Sequence, residues 1–228
     1  MDNELAFIVD SLARGACLVI IGPDLLRAQG SQMPLRKELH AQKVKGSNGT
    51  GDYLEYYEQE EVYLFQNPKQ QTRFFYALED FYKASNVDKT AYQQLGELPI
   101  PLFLNGSPDL ILRDSIGETA SFAYYHKGIP DADVPPFSVK NPLVYNLLGT
   151  IEQQESLVLT HDDLFQYLER IFSEGQVPQA ILDALFGARC LLFLGVGFDK
   201  WYVQLLLRLL KVTDERFARY ASPRPDNS

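Results

Sequence analysis

The sequence predicts an α/β fold built on a parallel sheet with helices on its faces. Short, unbroken apolar runs such as ACLVIIG (16–22) and CLLFLG (190–195) alternate with stretches of helical periodicity. Strands that are buried on both faces of a parallel sheet have this continuous apolar character, and their alternation with helices is typical of α/β domains. The chain has 228 residues, 46% of them hydrophobic and 22% charged, which suits one large globular domain.

In the first half, a helix over residues 3–13 precedes the first strand at 16–22, and Gly15 separates the two. The helical patterns before the next strand lie at 34–43, 53–65, 68–84 and 88–98. Pro68 stands where a proline commonly opens a helix. Because these patterns separate two strands by a long stretch, we expect a helical lid or insertion at about 34–98, after the first strand.

The second half alternates more regularly. Strands are predicted at 99–104, 118–128, 142–148, 156–160 and 190–195, and helices at 110–115, 161–172, 177–187 and 199–212. The proline-rich stretch 129–137 is a predicted loop. Thr160 is a predicted N-cap for the helix that His161 opens. The core face of the last helix is expected to consist of Trp201, Leu205, Leu206, Leu209 and Leu210.

One domain is expected over residues 1–220, followed at 221–228 by a linker or disordered tail of the kind that leads into further domains. No apolar run reaches about 18 residues, so no membrane span is predicted, and the acidic start does not resemble a signal peptide. Cys17 and Cys190 each lie in an apolar run, which indicates buried free thiols in a reducing cytoplasm. Neither has a partner at metal-ligand spacing, so no metal site is expected.

The formal charge is −9, from 21 Lys and Arg against 30 Asp and Glu. Such an acidic surface repels a phosphate backbone, so nucleic acid is not an expected partner. The densest basic cluster, Arg36, Lys37, Lys43 and Lys45, is interpreted as a solvated helix face. The GSNGTG stretch (46–51) lacks the Lys-Ser/Thr of a phosphate-binding loop, so we expect a flexible loop there.

Ligands of parallel α/β sheets bind where strands end and helices begin. The strand ends that carry glycine or polar residues lie at 22–24, 105–109, 148–150 and 195–197. Aromatic residues within 53–65 and 68–84 could form a base-stacking surface. Their helical spacing beside glutamates instead favours a lid core or a protein-contact face.

The segments around these strand ends resemble the motifs of one known protein family. NPLVYNLLGTIEQQESLVLTHDDLFQYL (141–168) resembles a segment in which "LHG" precedes an "LT…DY" helix start, and LLFLGVGFDKWYVQLLLRLL (191–210) resembles a closing "FLGYSxxDxxxxxLL" strand and helix. Residues 1–30 resemble an opening helix followed by "GAGxS", and 99–113 resemble a strand that ends in "TTNYD". In this order they resemble the sirtuin-like NAD-consuming family, in particular its zinc-free branch in bacterial anti-phage defence proteins. The resemblance implies a Rossmann-like sheet with a nucleotide site at these strand ends.

Two catalytic positions of that family differ here. Leu148 stands in place of the "LHG" histidine, and leucine cannot take a proton from a ribose hydroxyl or from water. Ser107 stands in place of the "TTNYD" asparagine, and its side chain is shorter with a different donor geometry. A one-residue shift of the alignment puts Asn105 near that place, so Asn105 and Asp109 are the candidates for residual function.

The phosphate loop also departs from the family pattern. Residues 22–26 read GPDLL where the family has "GAGxS", so Pro23 removes a backbone N–H donor and Asp24 adds a carboxylate near the place of a phosphate. The repulsion there is about 1–4 kcal/mol at surface-like dielectric. The later "GxS" reads GVG at 195–197 and lacks the hydroxyl. The resemblance leaves these residues as candidates to line a nucleotide pocket: Gly22, Asp24, Ser107, Asp109, Gly149, Gly195 and Gly197.

None of the three histidines stands at the position of the general base that Leu148 replaces. His161 lies at a helix start that the resemblance places near the rim, His126 lies in a predicted strand, and His40 lies on a predicted surface helix. A relocated base is the minor alternative.

The joint loss of base, amide and phosphate loop indicates a catalytically inactive sirtuin-like domain. We expect it to act in assembly, regulation or sensing within a bacterial, anti-phage defence protein, through protein partners or self-association. No cofactor is expected under this hypothesis. The alternatives are an active NAD hydrolase that produces nicotinamide and ADP-ribose, and a protein that binds NAD or ADP-ribose without hydrolysing it.

Overall fold

Six parallel strands form one sheet, and eight α-helices flank it, in the computed structural model, which describes residues 2–45, 53–84, 86–127, 134–173, 177–210 and 218–221. The strands are β1 (Cys17–Ile21), β2 (Glu55–Tyr57), β3 (Val62–Leu64), β4 (Leu102–Asn105), β5 (Ser121–Tyr124), β6 (Leu143–Asn146), β7 (Cys190–Leu194) and β8 (Ala218–Ala221). The helices are α1 (Asp2–Ala13), α2 (Leu35–Lys45), α3 (Pro68–Ala84), α4 (Thr90–Gly96), α5 (Ile111–Ile116), α6 (His161–Ser173), α7 (Gln179–Gly187) and α8 (Trp201–Leu209). The predicted α/β class with a Rossmann-like parallel sheet is confirmed.

The sheet order, β5-β6-β4-β1-β7-β8, creates a crevice at its centre. β1 pairs in parallel with β4 on one side and with β7 on the other. After β1, the next strand of the sheet in chain order is β4, which lies on one side of β1. After β7, the next strand is β8, which lies further out on the other side of β1. The connections that follow these two neighbouring strands therefore diverge, and ligands of open α/β sheets bind at such a switch point.

Apolar side chains cover both faces of the sheet. On β1, Leu18 and Ile20 pack into one core cluster, and Val19 and Ile21 pack into another. Successive side chains of a strand point to opposite faces, so this division places one cluster on each side. The two-sided burial is the physical reason for the unbroken apolar run in the sequence.

Both cysteines are free and fully buried, as predicted. Cys17 and Cys190 occupy paired positions on β1 and β7, at the start of each strand. Among the described residues, no helix has the length and the apolar character needed to cross a bilayer.

The predicted helix at 53–65 is wrong, because this segment forms an antiparallel hairpin of β2 and β3. Tyr56 and Tyr63 are cross-strand partners with ring centroids 5.0 Å apart, and Tyr63 also packs on Phe74 of α3 at 4.3 Å. Aromatic and β-branched residues favour strands, and cross-strand aromatic pairs stabilise them. The insertion at 34–98 thus contains helices and a hairpin together.

Two further strand predictions need correction. The stretch 156–160 is no sheet strand: its first residue ends a 3₁₀ turn at Gln154–Ser156, and its Leu159 carbonyl accepts a hydrogen bond from the Tyr63 N–H at 2.7 Å. Leu159 is buried against the insertion, which explains an apolar pattern without a ladder. Conversely, β8 was not predicted, because its four residues alternate in burial and lack an apolar run.

Three predicted irregular segments fall mainly or wholly outside the described residues, and the flexible loop predicted at 46–51 lies wholly outside them. Ala221, the first residue of the predicted tail, belongs to β8, and 222–228 lie outside the described residues. Of the predicted loop at 129–137, only 134–137 are described, and they have no regular structure.

Trp201 is wrongly placed on the core face of α8, since it is 41% exposed. Its indole N–H donates to the Glu60 carboxylate, 3.0 Å away, at the turn of the hairpin. Leu206 and Leu210 are buried as predicted. Trp201, the first residue of α8, therefore contacts the insertion rather than the core.

Candidate functional site

The loops after β1 and β7 pack backbone to backbone at the crevice. The Gly22 N–H donates to the Leu194 carbonyl at 2.8 Å, and the Asp24 N–H donates to the Gly195 carbonyl at 3.2 Å. A Cβ at Gly22 would lie 2.1 Å from the Gly195 oxygen, so only glycine fits there. Gly22 and Gly195, both predicted to line a nucleotide pocket, thus have a steric role in joining the two loops.

A buried network of charged side chains crosses the crevice. Arg36 of α2 pairs with Asp24 at 2.7 Å and also with Glu61, the last residue of the turn between β2 and β3. Glu61 pairs in turn with Lys200 at 3.0 Å, and the Tyr202 hydroxyl donates to it at 2.7 Å. The four charged side chains are each at most 15% exposed.

The network ties three parts of the chain together. The Lys200 ammonium, at the start of α8, also donates to the Glu58 carbonyl at 2.7 Å. The hairpin turn is therefore held to both α2 and α8. Glu61 has a φ of 59°, in the left-handed region that a residue with a side chain rarely adopts.

Two small cavities lie on either side of this network. One has a volume of about 50 Å³ and has apolar walls that include Leu147, Val203 and Leu206; the other has a volume of about 90 Å³ and reaches His40 and Tyr56. Both are lined by Pro23, Arg36, Glu61, Gly106 and Leu148, which form the partition between them.

In this form the crevice is divided into two small cavities. Each cavity has room for a few water molecules, whereas sites for drug-sized ligands have volumes of about 300–1,000 Å³. Asp24 and Gly197 line the smaller cavity, as does Gly22, but the Glu61 carboxylate lies between the two cations that could pair with a phosphate. The obstruction comes from the insertion.

The candidate residues after β4 bind one another. The Asn105 amide donates to the Asn146 side-chain oxygen at 2.8 Å and to the Ser107 carbonyl at 2.9 Å, while its own oxygen accepts from the Ser107 N–H at 3.1 Å. The Ser107 hydroxyl donates to Asp109, which also accepts from the Ile111 N–H at 2.8 Å at the start of α5. The structure brings these predicted residues together as a network that orders the loop.

Burial raises the pKa of Asp109, against the opposing effect of its hydrogen bonds from Ser107 and Ile111. The side chain is 1% exposed. Its two carboxylate oxygens are directed to the loop and to the helix start, so the structure gives Asp109 a role in ordering α5.

Leu148 and Gly149 follow β6 but have different surroundings. Leu148 contributes to the partition between the two cavities, so an apolar side chain stands at the junction. Gly149 has a φ of 88°, and a Cβ there would lie 2.2 Å from the Ser156 carbonyl oxygen. Its observed role is to let the chain turn closely against 156–157.

The histidines are distributed differently from the sequence prediction. His40 is wrongly placed on the surface: it stacks on Tyr56 with ring centroids 3.7 Å apart, and it lines the larger cavity. Its Nδ1 is buried and has no hydrogen-bond partner among the described residues. Burial, and then the charge of Arg36, lower the pKa of His40 to about 4.

The other two histidines lie elsewhere. His161 lies 4.0 Å from Glu60 and contacts Tyr57 edge-on, whereas His126 is near Tyr124. In the described part of the chain, no cluster of three or more His, Cys, Asp or Glu residues is placed to bind a metal.

Sequence analysis missed three residues of the crevice, Arg36, Glu61 and Lys200. Arg36 was interpreted as part of a solvated basic face, but it is only 12% exposed. The three are separated by 25 and 139 positions, and each looks like an ordinary charged residue of a surface helix. The strand-like composition of 53–65 was the available signal, because a hairpin there brings its turn to the sheet.

The family comparison agrees with this architecture. A model of the SIR2-like domain family matches residues 109–223, which is half of the chain. The chain belongs to the SIR2-like family. A search of curated proteins found no match. The matched range contains β5 to β8 and Lys200, whereas Arg36 and Glu61 lie outside it.

Proposed function

We propose that this chain is a catalytically inactive SIR2-like domain that acts in assembly, regulation or sensing. The proposal places it in a bacterial, anti-phage defence protein of the cytoplasm, as the resemblance of its motifs implies. The observation that carries the inactivity is Leu148, an apolar side chain in the partition of the crevice where the resembled family has its histidine. Leucine cannot serve as a general base.

The polar network after β4 supports the same conclusion. Asn105 is fully buried, and its amide nitrogen and oxygen are both engaged with neighbours in the loop and on β6. An amide with these partners is unavailable to hold an attacking water without breaking the loop. The amide that a shifted alignment would supply is thus committed to structure.

Exposed apolar side chains on two helices support a role in protein contact. Phe165 and Phe172 of α6 are 58% and 55% exposed, and they lie seven residues apart on one helix face. On α1, Leu5 and Val9 are 62% and 56% exposed, one turn apart. Apolar groups grouped in this way are a feature of contact surfaces, which favours protein partners or self-association.

The test of inactivity is a direct assay for turnover. The purified chain, at high concentration, is incubated with NAD, and nicotinamide and ADP-ribose are quantified against a heat-treated sample. We expect no product above the control. Clear turnover would overturn the proposal, and His40→Gln beside His126→Gln would then show whether the buried imidazole supplies the base.

A thermal shift with ADP-ribose separates a scaffold from a nucleotide binder. A ligand at 100 times its Kd stabilises the folded state by about 2.7 kcal/mol. We expect no shift for a pure scaffold at millimolar ADP-ribose. A concentration-dependent shift without turnover would move the function from assembly to sensing.

A further inference from the structure

We propose that Glu61 occupies an anion-binding site of this chain, and that a ligand with a single negatively charged oxyanion group displaces it and releases the hairpin. The inference deepens the proposed regulatory function. It rests on that function in one respect, namely that the ligand is bound and not consumed. It concerns Arg36, Glu61, Lys200 and Tyr202, which meet at the partition between the two cavities.

The groups around the Glu61 carboxylate form an oxyanion receptor. A guanidinium, an ammonium and a phenol hydroxyl all converge on it, from Arg36, Lys200 and Tyr202. A guanidinium combines charge with several N–H donors, and charge-assisted hydrogen bonds to a carboxylate or phosphate are the strong ones. The same three donors would serve any compact oxyanion in that place.

Stability alone does not account for this arrangement. Burying two ion pairs costs desolvation, and well-packed apolar residues of similar size are often equally stable or more so. Glu61 adds a strained backbone, with φ at 59°, in the turn that presents the carboxylate. Strain of this kind persists where the surroundings impose it and is concentrated at ligand sites and switch regions.

The charge balance sets the class of ligand. Arg36 and Lys200 supply two positive charges, and Asp24 and Glu61 supply two negative charges. When Glu61 leaves, the groups around Arg36 and Lys200 lose one negative charge. A carboxylate or a phosphodiester, each with one negative charge, replaces the charge that was lost in a crevice where an uncompensated charge is costly.

The position of the hairpin makes the displacement a gate. Glu61 lies in the partition between the cavities of about 50 and 90 Å³. The same turn is tied to α8 by the Glu58 carbonyl and by Glu60, which accepts from Trp201. A ligand that pairs with Arg36 and Lys200 in place of Glu61 removes the contacts of the Glu61 carboxylate with α2 and with the start of α8. The turn therefore loosens, and the partition between the cavities opens with it.

The test uses Glu61→Gln, with Glu58→Gln as the matched control in the same turn, since the Glu58 side chain is exposed. Thermal unfolding is followed in acetate, in dimethyl phosphate and in chloride at equal ionic strength. We expect acetate or dimethyl phosphate to stabilise E61Q. The apparent Kd of the anion for E61Q should be about tenfold or more below its Kd for the wild type and for E58Q, because a hydrogen bond to a charged group contributes roughly that factor in affinity. Stabilisation by acetate alone identifies a carboxylate ligand, and stabilisation by dimethyl phosphate alone identifies a phosphodiester.

Equal responses of E61Q, E58Q and the wild type would overturn the proposal. So would a double variant, E61Q with Lys200→Gln, that keeps the gain, because the anion would then bind elsewhere. If E61Q does not fold, hydrogen exchange of the wild-type hairpin amides decides: faster exchange with the oxyanions than with chloride supports the displacement, and equal exchange refutes it. These readouts are independent of NAD turnover, so each proposal can fail separately.

Discussion

Burial decides what the titratable side chains of the crevice can do. His40 and Asp109 are both common polar residues in the sequence, and each acquires a shifted pKa because the surrounding residues exclude water. For His40 the burial disfavours the imidazolium, and for Asp109 it disfavours the carboxylate. Neither effect is visible in the local sequence, because the residues that exclude the water lie on other elements.

The low pKa of His40 gives the protein an acid-sensitive component of stability. Its ordinary pKa is 6.5 and its folded pKa is about 4, so between these values the unfolded chain takes up a proton that the folded chain does not. Stability that is fully present above pH 6.5 is lost as the pH falls, at up to about 1.4 kcal/mol per pH unit. His40→Phe keeps a ring against Tyr56, so we expect it to lose about 1–2 kcal/mol less than the wild type between pH 7.5 and 5.

Urea unfolding at the two pH values measures this difference. His126→Gln is the control for the replacement of a histidine that does not line the cavity. An unchanged pH dependence in H40F would contradict the assignment to His40.

At the scale of elements, α6 shows how a local signal specifies a helix start. The Asp163 N–H donates to the Thr160 hydroxyl at 3.1 Å, and the Thr160 N–H donates back to the Asp163 carboxylate at 3.1 Å. This reciprocal cap satisfies donors that the first turn leaves unpaired, and it confirms the N-cap predicted from the sequence. The Lys127 ammonium donates to the same carboxylate at 2.9 Å and ties the segment after β5 to the helix start.

Thr160→Ala should lower the free energy of unfolding by about 1 kcal/mol, within the range of about 0.5–2 kcal/mol for the loss of a cap. Thr160→Ser keeps the hydroxyl and should stay close to the wild type. Chemical denaturation of the three proteins checks the prediction. A loss in T160S as large as in T160A would assign the effect to the methyl group instead of the cap.

At the scale of the whole molecule, the central strands are sealed by both layers of helices. Cys17 and Cys190 have no exposed surface, and they lie on β1 and β7 between the two core clusters. Core strands of this kind open at a free energy near that of global unfolding. The thiols therefore report on unfolding of the entire sheet.

Both thiols should be unreactive toward Ellman's reagent in the native protein and should react together on unfolding. The rate of labelling at several urea concentrations should follow the unfolding measured by circular dichroism. Titration in guanidinium chloride should give two thiols per chain, as the sequence requires. Fast labelling of either thiol without denaturant would indicate that its own strand opens without unfolding of the entire sheet.

Local patterns in the sequence were enough to predict the fold class, most helices and the cap of α6. Their signals are local: unbroken apolar runs give strands that are buried on both faces, and capping residues lie within a few positions of the helix they start. The strand ends after β1, β4, β6 and β7 were likewise predictable, because parallel topology brings them to one edge. The place of Leu148 directly after β6 follows from the same local pattern, whereas its position between the two cavities does not.

The side chains that fill the crevice could not be predicted from local patterns, because they come from distant parts of the chain. The hairpin at 53–65 depends on packing against α3, which outweighs the helical spacing of its aromatic residues. Arg36, Glu61 and Lys200 meet because that hairpin turn reaches the start of α8, and no local pattern records a contact across 139 positions. Long-range contacts of charged side chains leave no periodicity in the sequence, so the structure alone places the Glu61 carboxylate between Arg36 and Lys200.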